Sequence, residues 1–248
     1  MVGVVVIAFL GGMAAGSFAT AVAHRVPRGI SIAGPRSRCP ACGAQIAAYD
    51  NIPLLSWALL RGRARCCGAS ISAIYPLTEL TVGVLFALTT LVHWHDGAGI
   101  AVDLIFVTLL ATVTLTDLER RVIPNKILLV GAVLGIAIAA PTDPGGIAER
   151  AIAATAAGGL LFLVVLAYPA GMGLGDVKLA AVMGLFLGRA VAPAILIALL
   201  AASCVGIALI VRHGPSARKM AIPFGPFLAL GGVVGMLVGS PLISLYLG

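Results

Sequence analysis

Charge is the scarcest thing in this chain. Asp, Glu, Lys and Arg make up 10% of its 248 residues, while 60% are hydrophobic and the mean hydropathy is +1.12. A soluble core cannot use that much apolar surface, so the composition excludes an ordinary soluble domain and indicates a polytopic protein of the lipid bilayer. Acidic residues are scarcer still, nine against sixteen Lys and Arg, for a net charge of +7. In a soluble protein that balance would suggest nucleic acid. In a membrane protein it follows from basic cytoplasmic loops, and no nucleic-acid partner is expected. Long polar stretches are also few, since only residues 24–73 form one. No basic residue precedes the first apolar run, 2–23, which is long for a signal peptide and reads as a membrane helix. There is no strand leading into Gly-x-Gly-x-x-Gly and a helix, hence no visible Rossmann site. No internal repeat of the kind that builds secondary transporters is evident.

What remains is a series of apolar runs, at 2–23 and at about 75–94, 99–118, 127–141, 148–168, 177–192, 193–211 and 222–246. The stretch 177–211 is nearly continuous and is divided at Gly188-Arg189-Ala190. The expected fold is an all-α polytopic membrane protein of about eight transmembrane helices, with a cytoplasmic zinc-binding loop after the first. Within the first helix, Gly12 and Gly16 are spaced for close helix packing. With the amino terminus outside, Arg25, Arg28, Arg36, Arg38, Arg61, Arg63, Arg65, Arg120, Arg121, Lys126, Lys178, Arg212, Arg218 and Lys219 all fall on the cytoplasmic side. Only Arg150 and Arg189 fall outside. That asymmetry fixes the expected orientation. Three regions follow: 1–23 as first helix, 24–73 as a cytoplasmic loop, and 74–248 as a seven-helix core.

Two carboxylates stand out. Asp176 lies in Gly171-Met172-Gly173-Leu174-Gly175-Asp176-Val177-Lys178, between two apolar runs, and Asp117 closes Thr114-Leu115-Thr116-Asp117. An ionisable residue at the edge of a bilayer is costly and marks a functional site. The expected topology puts both at cytoplasmic helix ends, where together they make a site for activating water. Gly173 and Gly175 permit close backbone approach and unusual dihedrals. The competing reading of Asp117 is an interface aspartate paired with Arg121 at helical spacing. Glu119 and Lys178 are each two residues from an aspartate and point away from it on a helix. Lys178, counted with the lining of the site, is expected to reach the interface.

Four of the five cysteines share the polar loop: Cys39, Cys42, Cys66 and Cys67. Cys-x-x-Cys followed by a second pair reads as a structural zinc site, with reduced thiols as the alternative. The loop has too few apolar residues to fold firmly alone. Adjacent cysteines tend to point apart, so Cys66 is expected to be a poorer fourth ligand than Cys39, Cys42 and Cys67. Cys204, in an apolar run, is expected to be a small packing residue.

Taken in order, these motifs resemble those of the prepilin leader peptidases, bifunctional membrane enzymes of type IV pilus and type II secretion systems and aspartic proteases of the Gly-x-Gly-Asp class. The resemblance rests on Gly16-Ser17-Phe18 with Arg25-Val26-Pro27, and on Pro35-Arg36-Ser37-Arg38-Cys39-Pro40-Ala41-Cys42. It continues through Tyr49-Asp50-Asn51-Ile52-Pro53-Leu54-Leu55-Ser56-Trp57, Leu60-Arg61-Gly62 and Ile71 to Leu80. Thr116-Asp117, Gly173 to Leu179, and Pro223-Phe224-Gly225-Pro226-Phe227 complete it. The second cysteine pair departs from the family pattern, with Ala64 where a cysteine is expected.

The resemblance implies removal of a short basic leader from prepilins or pseudopilins at the cytoplasmic face of the bacterial inner membrane. It also implies methylation of the new amino terminus with S-adenosylmethionine. Asp117 and Asp176 would be the catalytic pair, sharing a proton because two close carboxylates do not both ionise easily. Gly173, Gly175, Pro223, Gly225 and Pro226 would line the site, with the start of the last helix beside the pair. Methyl transfer would lie in the 24–80 segment with Glu79 as candidate, although a capping charge near Tyr75-Pro76 accounts for Glu79 nearly as well. Asp50 reads as a turn former. Two rival functions are a proton-coupled secondary transporter, which predicts repeats and mid-membrane carboxylates, and a non-catalytic pilus-assembly scaffold, in which both aspartates are dispensable.

Overall fold

The computed structural model describes residues 1–34, 37–94, 96–169, 171–214 and 222–247. Arg36, Arg218 and Lys219, used above for orientation, lie outside the described residues. The helices are α1 (Val2–Arg25), α2 (Leu55–Leu59), α3 (Ile74–Val92), α4 (Gly97–Arg120), α5 (Asn125–Thr142), α6 (Ile147–Ala167), α7 (Leu174–Leu187), α8 (Val191–His213) and α9 (Gly225–Leu247). Among the described residues there is no β-strand, only the isolated bridges Arg38–Gln45 and Arg63–Ser70. Among the described residues, six segments are long and apolar enough to cross a membrane. The longest, Leu174–His213, contains both α7 and α8, joined by a single 3-10 turn at Gly188–Ala190. Gly188 there has φ +54, which an L side chain adopts at a cost.

The chain divides into two compact units, Met1–Trp94 and His95–Gly248. In the first, α1 packs on α3 through small residues. A Cβ on Gly12 would lie 2.7 Å from the Val82 carbonyl oxygen, and one on Gly16 would lie 2.8 Å from the Glu79 Cα. Helices of this composition gain little by leaving lipid for one another, so close backbone contact supplies the association. The remainder of this unit is the polar segment between α1 and α3. It is held by hydrogen-bonded turns, by the short helix α2, and by Trp57, whose indole N–H donates to the Ile71 carbonyl at 3.1 Å. Asp50 does more than form a turn. It takes a bidentate ion pair from Arg65, with contacts of 2.9 to 3.1 Å, and Arg65 also lies 5.5 Å over the Tyr49 ring.

The second unit has an apolar core around Phe106, Leu110, Leu161, Leu179, Met183 and Leu228, all essentially inaccessible. Phe106 stacks on Phe186 with centroids 4.8 Å apart. Small residues again set the helix spacing. A Cβ on Gly184 of α7 would stand 2.5 Å from backbone atoms of Ala154 in α6. At the end of α7 away from Asp176, Glu149 pairs with Arg189 at 2.9 Å and accepts its backbone N–H. Arg150 donates to the Leu185 and Phe186 carbonyls there. Cys204 does not pack inside; it is exposed on α8.

Candidate active site and cysteine cluster

Asp117 sits in the last turn of α4, with Thr116 fully buried beside it. Its carboxylate is only 6% exposed, which excludes a solvated interface charge. Arg121 is not the next rung of that helix. It takes φ +55, bonds its N–H to the Asp117 carbonyl at 2.8 Å and ends α4. The Asp117 Oδ2 instead accepts the backbone N–H of Gly225, 108 residues away, at 2.8 Å. Gly225 opens α9 after Pro223 and Phe224. It has to be small, because a Cβ would come 2.8 Å from the Asp117 Oδ2.

Asp176 is the third residue of α7 and 8% exposed. Its Oδ2 accepts the Gly173 N–H at 3.2 Å, a donor left free at a helix start. Its Oδ1 is buried and has no hydrogen-bond partner among the described residues. A buried carboxylate oxygen in that condition carries a desolvation cost that a bound water or substrate group removes. Asp117 and Asp176 are within electrostatic range of each other. The approach is made possible by Gly175, where a Cβ would lie 3.0 Å from the Ile123 Cβ in the segment following α4. Gly173, by contrast, has φ -84 and ψ 153, extended backbone open to any residue. Lys178 turns away from the aspartates and donates to the Asn125 Oδ1 at 3.0 Å. Pro223 and Pro226 stand on either side of Gly225 in the chain, and Gly173 and Gly175 adjoin Asp176 at the start of α7.

In the first unit Glu79 is 8% exposed, on the face of α3 that meets α1. It does not cap the start of α3. There the Ser72 hydroxyl oxygen accepts the Ile74 N–H at 3.3 Å. The Glu79 Oε2 accepts the Leu54 N–H at 2.8 Å, holding the entry to α2, where Leu54 takes φ +58.

The four loop cysteines form one cluster. All four Sγ atoms lie within 4.8 Å of one another: Cys39–Cys67 are 3.6 Å apart, Cys42–Cys66 3.4 Å, and Cys66–Cys67 3.9 Å. A tetrahedral ion with sulfur ligands at about 2.3 Å separates them by roughly 3.8 Å, so the set fits a four-thiolate metal site. The expectation that Cys66 and Cys67 point apart is incorrect. The chain reverses at Gly68, φ +71, and brings both thiols to one side. The four are nonetheless unequal. Backbone N–H groups of Cys42 and Ala41 hold the Cys39 thiol down at about 6. Cys66 is pushed up to about 12, chiefly by its hydrogen bond with Cys42. The Ala69 N–H lowers Cys67, but its hydrogen bonds with Cys39 and Cys42 leave it raised.

Two family descriptions match the chain: a bacterial peptidase A24 N-terminal domain over residues 10–93, and the type IV leader peptidase family over residues 104–211. A prepilin leader peptidase/N-methyltransferase of Bacillus subtilis (strain 168) is 34% identical over 97% of this chain and 97% of its own length. The chain belongs to the type IV leader peptidase family. A Myxococcus xanthus relative of the same description is 38% identical over 83% of this chain and 63% of its own. A type 4 prepilin-like proteins leader peptide-processing enzyme of Escherichia coli O78:H11 is 34% identical over 92% of this chain and 91% of its own. No solved structure matches. The first matched stretch falls within the first compact unit, and the second falls within the second unit, short of α9. The hydrogen bond from Gly225, one of the glycines expected to line the site, lies beyond both.

Proposed function

We propose that this protein is a membrane aspartic endopeptidase that removes the leader peptide of type IV prepilins or pseudopilins, and that it also N-methylates the new amino terminus. The observation that carries the peptidase reading is the unpartnered, buried Oδ1 of Asp176 in electrostatic range of Asp117. Each carboxylate spends its other oxygen on a backbone N–H, from Gly225 or Gly173, and is thereby oriented. One carboxylate takes a proton from water, and the other, protonated, polarises the scissile carbonyl. The irregular backbone at Ile222–Phe224, beside Asp117, suits a segment that pairs with extended substrate.

In this reading eight helices span the bacterial inner membrane, the amino terminus is outside, and residues 24–73 are cytoplasmic. A prepilin, with a charged leader and an apolar helix, then offers its scissile bond at the depth of Asp117 and Asp176. A transporter would hold its carboxylates near the membrane midplane, whereas both lie at helix ends. Zinc held by Cys39, Cys42, Cys66 and Cys67 would staple the loop, its binding free energy adding to the stability of that fold. Methyl transfer, with S-adenosylmethionine as donor, is assigned to the 24–80 segment with Glu79 as candidate. The buried position of Glu79 and its bond to Leu54 equally support a role in seating the loop. The test is incubation of the purified protein with a prepilin. A product shortened by the leader supports the reading, and an intact precursor under conditions where the protein is folded opposes it.

A further inference from the structure

The polar loop contains the same turn twice. In the first copy the Cys39 N–H donates to the Ala44 carbonyl at 2.8 Å and the Gly43 N–H to the Cys39 carbonyl at 2.8 Å. In the second, the Ala64 N–H donates to the Ala69 carbonyl at 2.8 Å and the Gly68 N–H to the Ala64 carbonyl at 2.7 Å. The bridges Arg38–Gln45 and Arg63–Ser70 close the two copies in the same register, and Gly43 and Gly68 share a left-handed φ of +73 and +71. Residues match accordingly: Arg38 with Arg63, Cys42 with Cys67, Gly43 with Gly68, Ala44 with Ala69. The first position of the turn is Cys39 in one copy and Ala64 in the other. Cys66 corresponds to Ala41, a position that carries no ligand in the first copy.

Exchanging the two turns carries the Cys39–Cys67 pair, 3.6 Å apart, onto residue 64 and Cys42. The sulfur that in fact neighbours Cys42 is that of Cys66, at 3.4 Å. The alanine at position 64 has no sulfur to place there.

We propose that Cys66 is a displaced metal ligand, filling from the third position of the second turn the corner of the four-thiolate site that the repeat assigns to residue 64. A cysteine introduced at 64 takes that corner back, because residue 64 occupies in the second turn the place that Cys39 holds in the first. The inference rests on the zinc reading above, and its test separates the two. The full-length protein and its Ala64→Cys variant are purified in detergent with zinc, assayed for metal content, alkylated with iodoacetamide and mapped by mass spectrometry. The same proteins stripped of zinc with EDTA serve as the unprotected reference. Ala64→Cys retains every native ligand, so its folding does not depend on the new thiol.

The expected result is one zinc per chain in both proteins. In the wild type Cys66 is protected. In Ala64→Cys the introduced thiol at position 64 is protected instead, while Cys66 labels at the rate it shows in the zinc-stripped protein. Zinc affinity, read by chelator competition, should fall at least about 100-fold in Cys66→Ala, the upper end of what loss of an outer-shell partner costs. It should recover to within about tenfold of wild type in Ala64→Cys/Cys66→Ala, the same range for outer-shell contacts setting the margin. A wild type without metal overturns the zinc reading. Zinc-loaded Ala64→Cys in which Cys66 remains protected, or a double variant no tighter than Cys66→Ala, overturns the displaced-ligand inference and leaves the zinc reading standing.

Discussion

Gly225→Ala gives the sharpest separation of catalysis from folding. The added methyl would sit 2.8 Å from the Asp117 Oδ2 and 3.2 Å from its Cβ and Cγ. Ordinary contact begins near 3.4 Å, so the carboxylate or the start of α9 must shift by about 0.6 Å. Misplacing a reacting group by about 1 Å costs on the order of 100-fold, so this shift predicts a fall in kcat/KM of roughly 10- to 100-fold. That corresponds to about 1.4 to 2.7 kcal/mol in the barrier. Folding should change less than activity, because the clash falls on one carboxylate side chain at the first residue of α9. The assay is cleavage of a prepilin by purified enzyme in detergent, with the thermal midpoint measured on the same samples. Gly206→Ala is the control, since a Cβ there meets nothing within 4 Å, and it should leave both quantities unchanged. A Gly225→Ala enzyme that cleaves at the wild-type rate would refute the placement of Gly225 against the carboxylate. A loss of activity matched by unfolding would refute the separation.

Other perturbations follow the same geometry. Gly184→Ala drives a methyl to 2.5 Å from the Ala154 backbone and should destabilise the second unit by about 1 to 3 kcal/mol, visible as a lowered thermal midpoint in detergent. Lys178→Met removes only an exposed hydrogen bond to Asn125 and should change kcat/KM by no more than about fivefold, about 1 kcal/mol; a loss of 100-fold would place Lys178 in the chemistry after all. Cys39→Ser and Cys67→Ser should each lower the zinc content and harm methylation more than cleavage, read by metal analysis and by the mass of the processed pilin.

The helices were largely legible in the sequence because runs of apolar residues this long have few alternatives in a bilayer. The division of 177–211 was legible as well, since Gly188 is the residue that can take φ +54 where α7 turns into α8. Asp117 and Asp176 were visible for the opposite reason: carboxylates are conspicuous in a chain with so few charges. What could not be read depends on how separate segments meet. Nothing local to Leu54 marks its N–H as the partner of Glu79, nor does spacing along the chain connect Asp50 to Arg65. The direction of the Cys66 and Cys67 thiols follows from the reversal at Gly68, a feature of the turn rather than of adjacent cysteines in general. The rival reading of Asp117, an interface charge paired with Arg121, fails on its burial and on the Gly225 N–H that its carboxylate accepts. The twofold use of one turn was hidden because its first and third positions differ between copies, although four of its eight residues are the same.

The central claim is that Asp117 and Asp176 act as one unit on prepilin. The direct measurement is the cleavage rate of a prepilin by purified Asp117→Asn, Asp176→Asn and Asp117→Asn/Asp176→Asn proteins, each shown to be folded by its thermal transition. Each single variant should lose at least about 10⁴-fold in rate, and the double variant should be no slower than either, as for residues that share one catalytic step. Cleavage by Asp176→Asn at a rate near wild type would contradict the account. So would two partial losses that multiply in the double variant.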